Sequence, residues 1–312
     1  VNDASSFYSI INQVMNNITI IDRNLIFICL ENLSKKFREN FLKPRNNQNK
    51  SFIDQYITII CSFLSGKNKL EPNNLIEIER FNQIFEPILL YIKNPKKIPF
   101  YDGLISTTEV YIKALKGINH LSSLVLKNIS QILDLEKSTS ITVYSFVSTF
   151  LKYIQKNISK EPLDQSELFN EILLIIKKSF TFKNDSFDSS IMHALLLTLQ
   201  IMNLNPNLSE DILKFLLLES LKNYNTNKEL SVIDSEVSNI NELVLANISL
   251  GFIYKPELTF KILKSEKVNE ETGYLTKFEK YVHIIYNYLN PKFDNYDMLL
   301  NKCIILGICG LL

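Results

Sequence analysis

Three histidines and four cysteines are the residues of this sequence best suited to metal binding or nucleophilic chemistry. The histidines are His120, His193 and His283, and none forms an HExxH pair or lies beside a cysteine at the spacing of a metal site. His193 lies in an apolar helical pattern, which predicts a buried or half-buried structural side chain. The histidines therefore indicate no metal site.

The four cysteines also lie in apolar helical patterns, and no two of them have the CxxC spacing of metal and redox sites. Cysteines in such positions are more often buried free thiols than disulfide partners. We therefore predict buried free thiols in a reducing compartment for all four: Cys29, Cys61, Cys303 and Cys309.

The motifs that bind phosphate or activate a serine are missing: the sequence has no P-loop, no GxGxxG and no GxSxG. Gly307 and Gly310 lie in an apolar run, where glycine favours close helix packing over phosphate binding. Carboxylates are scattered, and spacing alone pairs none of them as acid and base. The sequence therefore predicts a protein that is not an enzyme, with no cofactor and no catalytic, cofactor-binding or metal-binding residue.

Two basic clusters raise the question of nucleic-acid binding. One ends a predicted helix and the other lies in a predicted turn, so each is better interpreted as solvated surface. The formal net charge of +1 also argues against a strongly basic nucleic-acid binder. We therefore predict no nucleic-acid partner. The clusters are Lys35, Lys36, Arg38, Lys43 and Arg45, and then Lys93, Lys96 and Lys97.

Composition favours helices. The chain has 312 residues, of which 46% are hydrophobic and 21% charged, and it contains 7 glycines and 9 prolines. Folds rich in strands need more turn glycines than this. No apolar run reaches the roughly 18 residues of a transmembrane helix, so we predict no membrane span.

Apolar residues recur at helical spacing along the chain, in about fourteen segments with short connections. The connection at 225–239 is the longest, and we predict a polar loop or a mobile insertion there. The predicted helices are Ser6–Ile18, Ile21–Phe41, Phe52–Leu64, Leu75–Asn94, Tyr101–Lys116, Leu121–Leu135, Thr142–Lys156, Ser166–Ser179, Ser189–Leu204, Ser209–Tyr224, two within Leu243–Leu263, Tyr274–Leu289 and Met298–Leu312.

Local signals mark several helix ends. Ser51 and Ser209 are predicted N-caps, and Gly117 is predicted to close the helix before it. Pro87 lies inside a helical pattern, where proline either kinks the helix or starts a new one.

Helices in pairs of roughly 40 residues are typical of HEAT and armadillo repeats, whose pairs stack and bury their apolar faces against their neighbours. We predict an all-α fold: a single continuous HEAT/armadillo-like α-solenoid over residues 1–312, built of antiparallel helix pairs in a right-handed superhelix. An irregular helical bundle is the alternative. The start at Val1 and the apolar end at Leu312 lead us to expect a piece of a longer protein.

The order of segments toward the end resembles the C-terminal region of the importin-β superfamily, in particular the branch of importins seven and eight. Leu243–Leu263 carries the turn Tyr254-Lys255-Pro256, and the helix Tyr274–Leu289 follows. In the last segment the residues that match the family pattern are Lys302, Cys303, Leu306 and Gly307. The likeness extends upstream to about Gln83, by way of Phe85-Glu86-Pro87 and Tyr101.

This resemblance implies a nuclear transport receptor that binds cargo proteins and shuttles between cytoplasm and nucleus. It would pass the nuclear pore by contacts with the Phe-Gly repeats of nucleoporins, and it would bind the GTPase Ran through repeats outside this segment. It assigns no cargo-binding residue, and it leaves the cargo, the branch and the direction of transport open. A helical-repeat scaffold or regulatory subunit outside transport is the alternative function.

Overall fold

Helices account for nearly all of the structure. The computed structural model of the chain describes residues 23–41, 47–65, 70–92, 101–133, 140–157, 167–181, 187–224, 235–266 and 276–288, together with Leu306, Gly307 and Cys309. These residues form twelve helices and no strand, which confirms the all-α prediction for this part of the chain. The predicted helix Ser6–Ile18 and most of the predicted helix Met298–Leu312 lie outside the described residues.

The chain divides into two compact units, Val1–Lys160 and Glu161–Leu312. The first contains α1 (Arg23–Phe41), α2 (Asn47–Ser65), α3 (Leu75–Ile92), α4 (Tyr101–Leu115), α5 (His120–Leu133) and α6 (Ser140–Asn157). The second contains α7 (Glu167–Thr181), α8 (Phe187–Leu204), α9 (Glu210–Lys222), α10 (Ser235–Tyr254), α11 (Pro256–Ser265) and α12 (Lys277–Tyr288). The prediction of one continuous segment stays a prediction.

In the first unit, each helix packs mainly on helices that lie one or two positions away along the chain. Helix α1 packs on α2 and α3, α2 on α4, α3 on α4 and α5, and α4 on α5 and α6. The odd-numbered helices therefore form one layer and the even-numbered helices another. Packing between near neighbours in sequence is how helical repeats build a core.

Hydrogen bonds within a layer of the first unit join residues 36 to 56 positions apart along the chain. The separation is 48 to 56 residues between α1 and α3, 46 between α2 and α4, and 36 to 40 between α4 and α6. The bonded positions advance together along both helices, so α1 and α3 run parallel. For α1 and α3 the pairs are Asn24 and Glu31 with Arg80, Ser34 with Ile84, and Arg38 with Glu86.

Aromatic rings fill the centre of the first unit. Phe81 and Phe85 of α3 lie 4.9 and 5.0 Å, centroid to centroid, from the ring of Tyr111 on α4. Phe63 of α2 stacks on Phe81 at 5.6 Å and meets Phe27 of α1 edge-on at 5.7 Å. These rings are almost fully buried, so they form an apolar core that joins four helices.

The second unit repeats this packing order. Helices α8, α10 and α12 pack in one layer, α9 and α11 in the other, and α7 packs on α8. Hydrogen bonds between α8 and α10 and between α9 and α11 join residues 51 to 52 apart, and the bond between α10 and α12 joins residues 32 apart. The pairs are Leu195 with Asn247, Asn203 with Tyr254, Glu210 with Lys261, and Ser249 with Tyr281. Both units thus use the same neighbour order.

Helix α10 is the core helix of the second unit. Every residue from Glu242 to Phe252 is buried. A helix with no exposed face must be covered on all sides by other elements, and its main partners are α8, α9, α11 and α12.

Two predicted helix ends differ from the structure. Helix α2 begins at Asn47, so Ser51 lies inside it and is not its N-cap. Gln48 and Lys50 are good helix formers, and the helix starts one turn before the predicted N-cap. Helix α10 begins at Ser235, so the last part of the predicted loop 225–239 is helical, whereas 225–234 lies outside the described residues.

The structure also tests the other residues that were predicted to start, break or end a helix. Ser209 is the N-cap of α9 as predicted, although its side chain makes no capping hydrogen bond. Helix α3 continues through Pro87, so a break there is excluded. At the end of α4, Lys116 takes the left-handed conformation (φ 51°), and the N–H of Gly117 donates to the carbonyl of Ile112. This is a Schellman motif in which glycine follows the left-handed residue.

Candidate functional site

A groove lies between α1 and α3 in the first unit. Its volume is about 250 Å³, and it is lined by Glu31, Ser34, Lys35, Arg38, Gln83 and Ile84. The two helices run parallel, so equivalent turns of each face the groove along its length. Four of its six lining residues have charged or amide side chains whose stems are apolar, so the groove suits an amphipathic ligand with polar groups, such as a peptide segment.

Two ion pairs cross this groove. Nη2 of Arg80 lies 2.9 Å from Oε1 of Glu31, and Nη2 of Arg38 lies 2.5 Å from Oε2 of Glu86. These side chains are partly exposed, so each pair contributes little to stability. Their positions on facing helices nevertheless give the groove a rim of alternating charge, and such a rim affects the rate and selectivity of association more than affinity.

The structure supports the interpretation of the first basic cluster as surface. Lys35, Lys36 and Arg38 are exposed on α1, and Arg38 is paired with a carboxylate. Lys43, Arg45 and the whole second cluster lie outside the described residues. A cation that is already paired is a weaker ligand for phosphate, so the pairing with Glu86 reduces what Arg38 could contribute to anion binding.

Below the groove, one backbone carbonyl accepts two hydrogen bonds from side chains. Oγ of Ser34 donates to the carbonyl of Ile84 over 3.2 Å, and the hydroxyl of Tyr56 donates to the same oxygen over 2.8 Å. Both side chains are buried. Burial raises the pKa of Tyr56, so the hydroxyl keeps its proton and remains a donor at physiological pH.

A buried carboxylate lies deeper in the first unit. Oε1 of Glu109, on α4, accepts hydrogen bonds from Ser145 Oγ at 2.9 Å and Thr149 Oγ1 at 3.2 Å, both on α6, and it pairs with Lys113 one turn away. Glu109 is only 7% exposed. A buried carboxylate is tolerated when it is paired and hydrogen-bonded. This arrangement joins α4 to α6, and we interpret it as structural.

The histidines occupy separate places. His120 and His283 are exposed, and His193 is buried in α8 as predicted. Burial lowers the pKa of His193, which favours its neutral form. No group of His, Cys, Asp and Glu in the described part of the chain could hold a metal ion.

None of the described helices is both long and apolar enough to span a bilayer.

The cysteines correct one of our predictions. Cys29, Cys61 and Cys309 are free thiols, but Cys29 and Cys309 are exposed and Cys61 is only half-buried. Cys303 lies outside the described residues. The prediction of burial is wrong for Cys29 because the buried stripe of α1 runs through Ile26, Leu30 and Leu33, and Cys29 lies beside it.

Thiol reactivity should differ between Cys29 and Cys61. Burial raises the pKa of Cys61, whose Sγ lies 3.2 Å from Oγ1 of Thr107. The thiolate is the reactive form, so we expect Cys29 to react with a disulfide reagent at least about tenfold faster than Cys61 in the folded chain. Mass spectrometry of peptides after timed labelling measures both rates. A denatured control gives the labelling rates of the two thiols without the fold. If Cys29 and Cys61 react at equal rates in the native protein, the exposures described above are wrong.

Comparison with known proteins identifies no relative. No protein-family model, no curated protein and no solved structure matches this chain. The resemblance to the importin-β superfamily therefore stays a prediction from the sequence.

Proposed function

We propose that this chain is a protein-binding segment of an α-solenoid, built of antiparallel helix pairs in a right-handed superhelix. The observation that carries the proposal is the repeated neighbour order within each unit, in which helices next to each other or one apart along the chain pack together and those one apart are joined by hydrogen bonds. A stack of this kind aligns equivalent helix turns from successive repeats. It thereby offers long surfaces that suit protein partners.

The groove between α1 and α3 illustrates how such a surface could bind a partner. It lies between two helices of one layer and is crossed by the Arg80–Glu31 and Arg38–Glu86 pairs. Polar grooves of this kind give an extended peptide both hydrogen-bonding groups and charges to match.

Within this class, we propose a nuclear transport receptor of the importin type as the specific function. The support is the order of segments from about Gln83 to the end, which resembles the C-terminal region of that superfamily. The receptor would bind cargo proteins and nucleoporin Phe-Gly repeats, bind GTP-loaded Ran through repeats outside this segment, and shuttle between cytoplasm and nucleus. The alternative is a helical-repeat scaffold or regulatory subunit, which would use the same packing order.

A binding experiment separates these two functions. The chain is passed over immobilised Phe-Gly repeat polypeptide and over a matched polypeptide in which each Phe is replaced by Ser. A transport receptor should be retained by the first and not by the second. Equal retention on the two immobilised polypeptides would favour the scaffold.

Ran provides a second comparison. A longer receptor containing this segment should bind GTP-loaded Ran in preference to GDP-loaded Ran, whereas this segment alone should bind it weakly or not at all. The absence of nucleotide-dependent binding by the longer protein would remove the transport proposal.

A further inference from the structure

In the second unit, the turn between α8 and α9 and the start of α11 border a small cavity. Its volume is about 10 Å³, and its lining includes Met202, Asn205, Leu208 and Lys255. This volume is about that of one water-sized sphere, so the cavity is too small for an organic ligand. A ligand for this cavity is therefore a water molecule or a small ion.

One hydrogen-bond donor in the lining has no protein acceptor. Nδ2 of Asn205 is buried and has no acceptor among the described residues, whereas Oδ1 of the same side chain accepts from the N–H of Asn207 over 3.2 Å. Turning the amide over would place Nδ2 against that N–H, which is a second donor. Since buried donors in native proteins are rarely left without a partner, Nδ2 needs an acceptor in the cavity that it borders.

The end of α8 supplies an acceptor that lacks its usual donor. In a continuing helix the carbonyl of Met202 would bond the N–H of residue 206, but that residue is Pro206, which has no N–H. The last carbonyls of a helix project beyond its C-terminus, which here is toward the turn beside the cavity. Met202 is only 2% exposed, so a donor for its carbonyl must come from inside the fold.

Lys255, the N-cap residue of α11, adds a further donor. Its Nζ donates to the carbonyl of Leu208 over 2.6 Å, and an ammonium group has three N–H bonds. A cation would be repelled by this ammonium group. A chloride ion would suit the donors but could not donate to the Met202 carbonyl, whereas water both accepts and donates.

We propose that this cavity binds one ordered water molecule, which accepts from Nδ2 of Asn205 and donates to the carbonyl of Met202, with Nζ of Lys255 as a further donor. Buried waters typically make about three hydrogen bonds of this kind. The water joins the turn after α8 to the turn after α10, beside the direct bond between Lys255 and Leu208. This site does not depend on the transport function.

A crystal structure of the whole chain, at a resolution that shows ordered water, tests the site. Water density is expected at hydrogen-bonding distance, about 2.7–3.2 Å, from both Asn205 Nδ2 and the carbonyl oxygen of Met202. Crystals grown in bromide provide the control for an anion, because bromide is located by its anomalous scattering. A cavity without density, or a bromide peak inside it, overturns the proposal.

Oxygen-17 relaxation dispersion, which counts long-lived internal waters, tests the site in solution. Asn205→Leu removes the donor and is expected to lower the count by about one water per molecule. The matched control is Asn223→Leu: Asn223 is also half-buried just after a helix, but its Nδ2 donates to the carbonyl of Glu219 over 2.7 Å. This variant should keep the wild-type count. If Asn205→Leu also keeps it, or if both variants lower it equally, Asn205 does not hold a water and the proposal is wrong.

Discussion

Replacing Gly307 by alanine is expected to lower the free energy of unfolding by about 3 kcal/mol, at the upper end of the usual cost of overpacking a core. A Cβ atom at this position would lie 2.5 Å from Cβ, 2.6 Å from Cα and 2.8 Å from the carbonyl oxygen of Ser249. Two of these three are backbone atoms of α10, which is buried on all sides. The Ser249 hydroxyl also lies 3.0 Å from that of Tyr281, so a shift of Ser249 would disturb a second contact.

Two other glycines provide matched controls for this substitution. At Gly103 a Cβ would lie 3.5 Å from Ile57, an ordinary contact, so Gly103→Ala should be neutral or stabilising by up to about 1 kcal/mol. At Gly251 it would lie 2.8 Å from Oγ1 of Thr259, a buried side-chain atom and not a backbone atom, so an intermediate loss is expected. Urea unfolding followed by circular dichroism ranks the three variants. If the Gly307→Ala variant is as stable as the Gly103→Ala variant, position 307 does not lie in close contact with Ser249.

Periodicity was sufficient to predict the helices but not their ends. Apolar spacing located most of α1 to α12 because each helix must bury a stripe of side chains. The starts of α2 and α10 were misplaced because polar residues such as Gln48 and Glu236 sit as well in a first helical turn as in a loop. The close packing predicted for Gly307 is confirmed. It could be predicted because glycine inside an apolar helical run has few other uses.

The width of a buried stripe is harder to predict than its direction. Cys29 and Leu25 fit the apolar spacing of α1, yet both are exposed, whereas Ile26, Leu30 and Leu33 are buried. Spacing places a residue on a helix face, but the neighbouring helices decide how much of that face is covered.

The groove and the buried Glu109 could not be predicted from spacing, because their residues come together only when same-layer helices pack. Glu109 meets Ser145 and Thr149 across 36 and 40 residues of chain. Similarly, Ser34 and Tyr56 reach Ile84 across 50 and 28 residues. The one local signal for Glu109 was its position a single turn before Lys113, which many solvated helix faces share.

Alkaline pH should destabilise the chain through Tyr281, and Tyr281→Phe should remove that part of the effect. Burial raises the pKa of Tyr281 from 10.0 to about 12, more than its hydrogen bond with Ser249 lowers it. Between these two values the unfolded chain has lost the tyrosine proton and the folded chain retains it. Stability from this group is therefore fully present below pH 10 and is lost as the pH rises, by about 1.4 kcal/mol per pH unit.

The difference between wild type and Tyr281→Phe isolates this contribution from other alkaline groups. At pH 8 the variant should be less stable by about 1 kcal/mol, because the Ser249 hydroxyl loses its partner. From pH 10 upward the stability of the wild type should fall more steeply, so the two curves converge and then cross within about one pH unit. Urea midpoints in matched buffers from pH 8 to pH 11.5 measure both curves. Curves that stay parallel through this range would show that the Tyr281 hydroxyl is not buried against Ser249 in the folded chain.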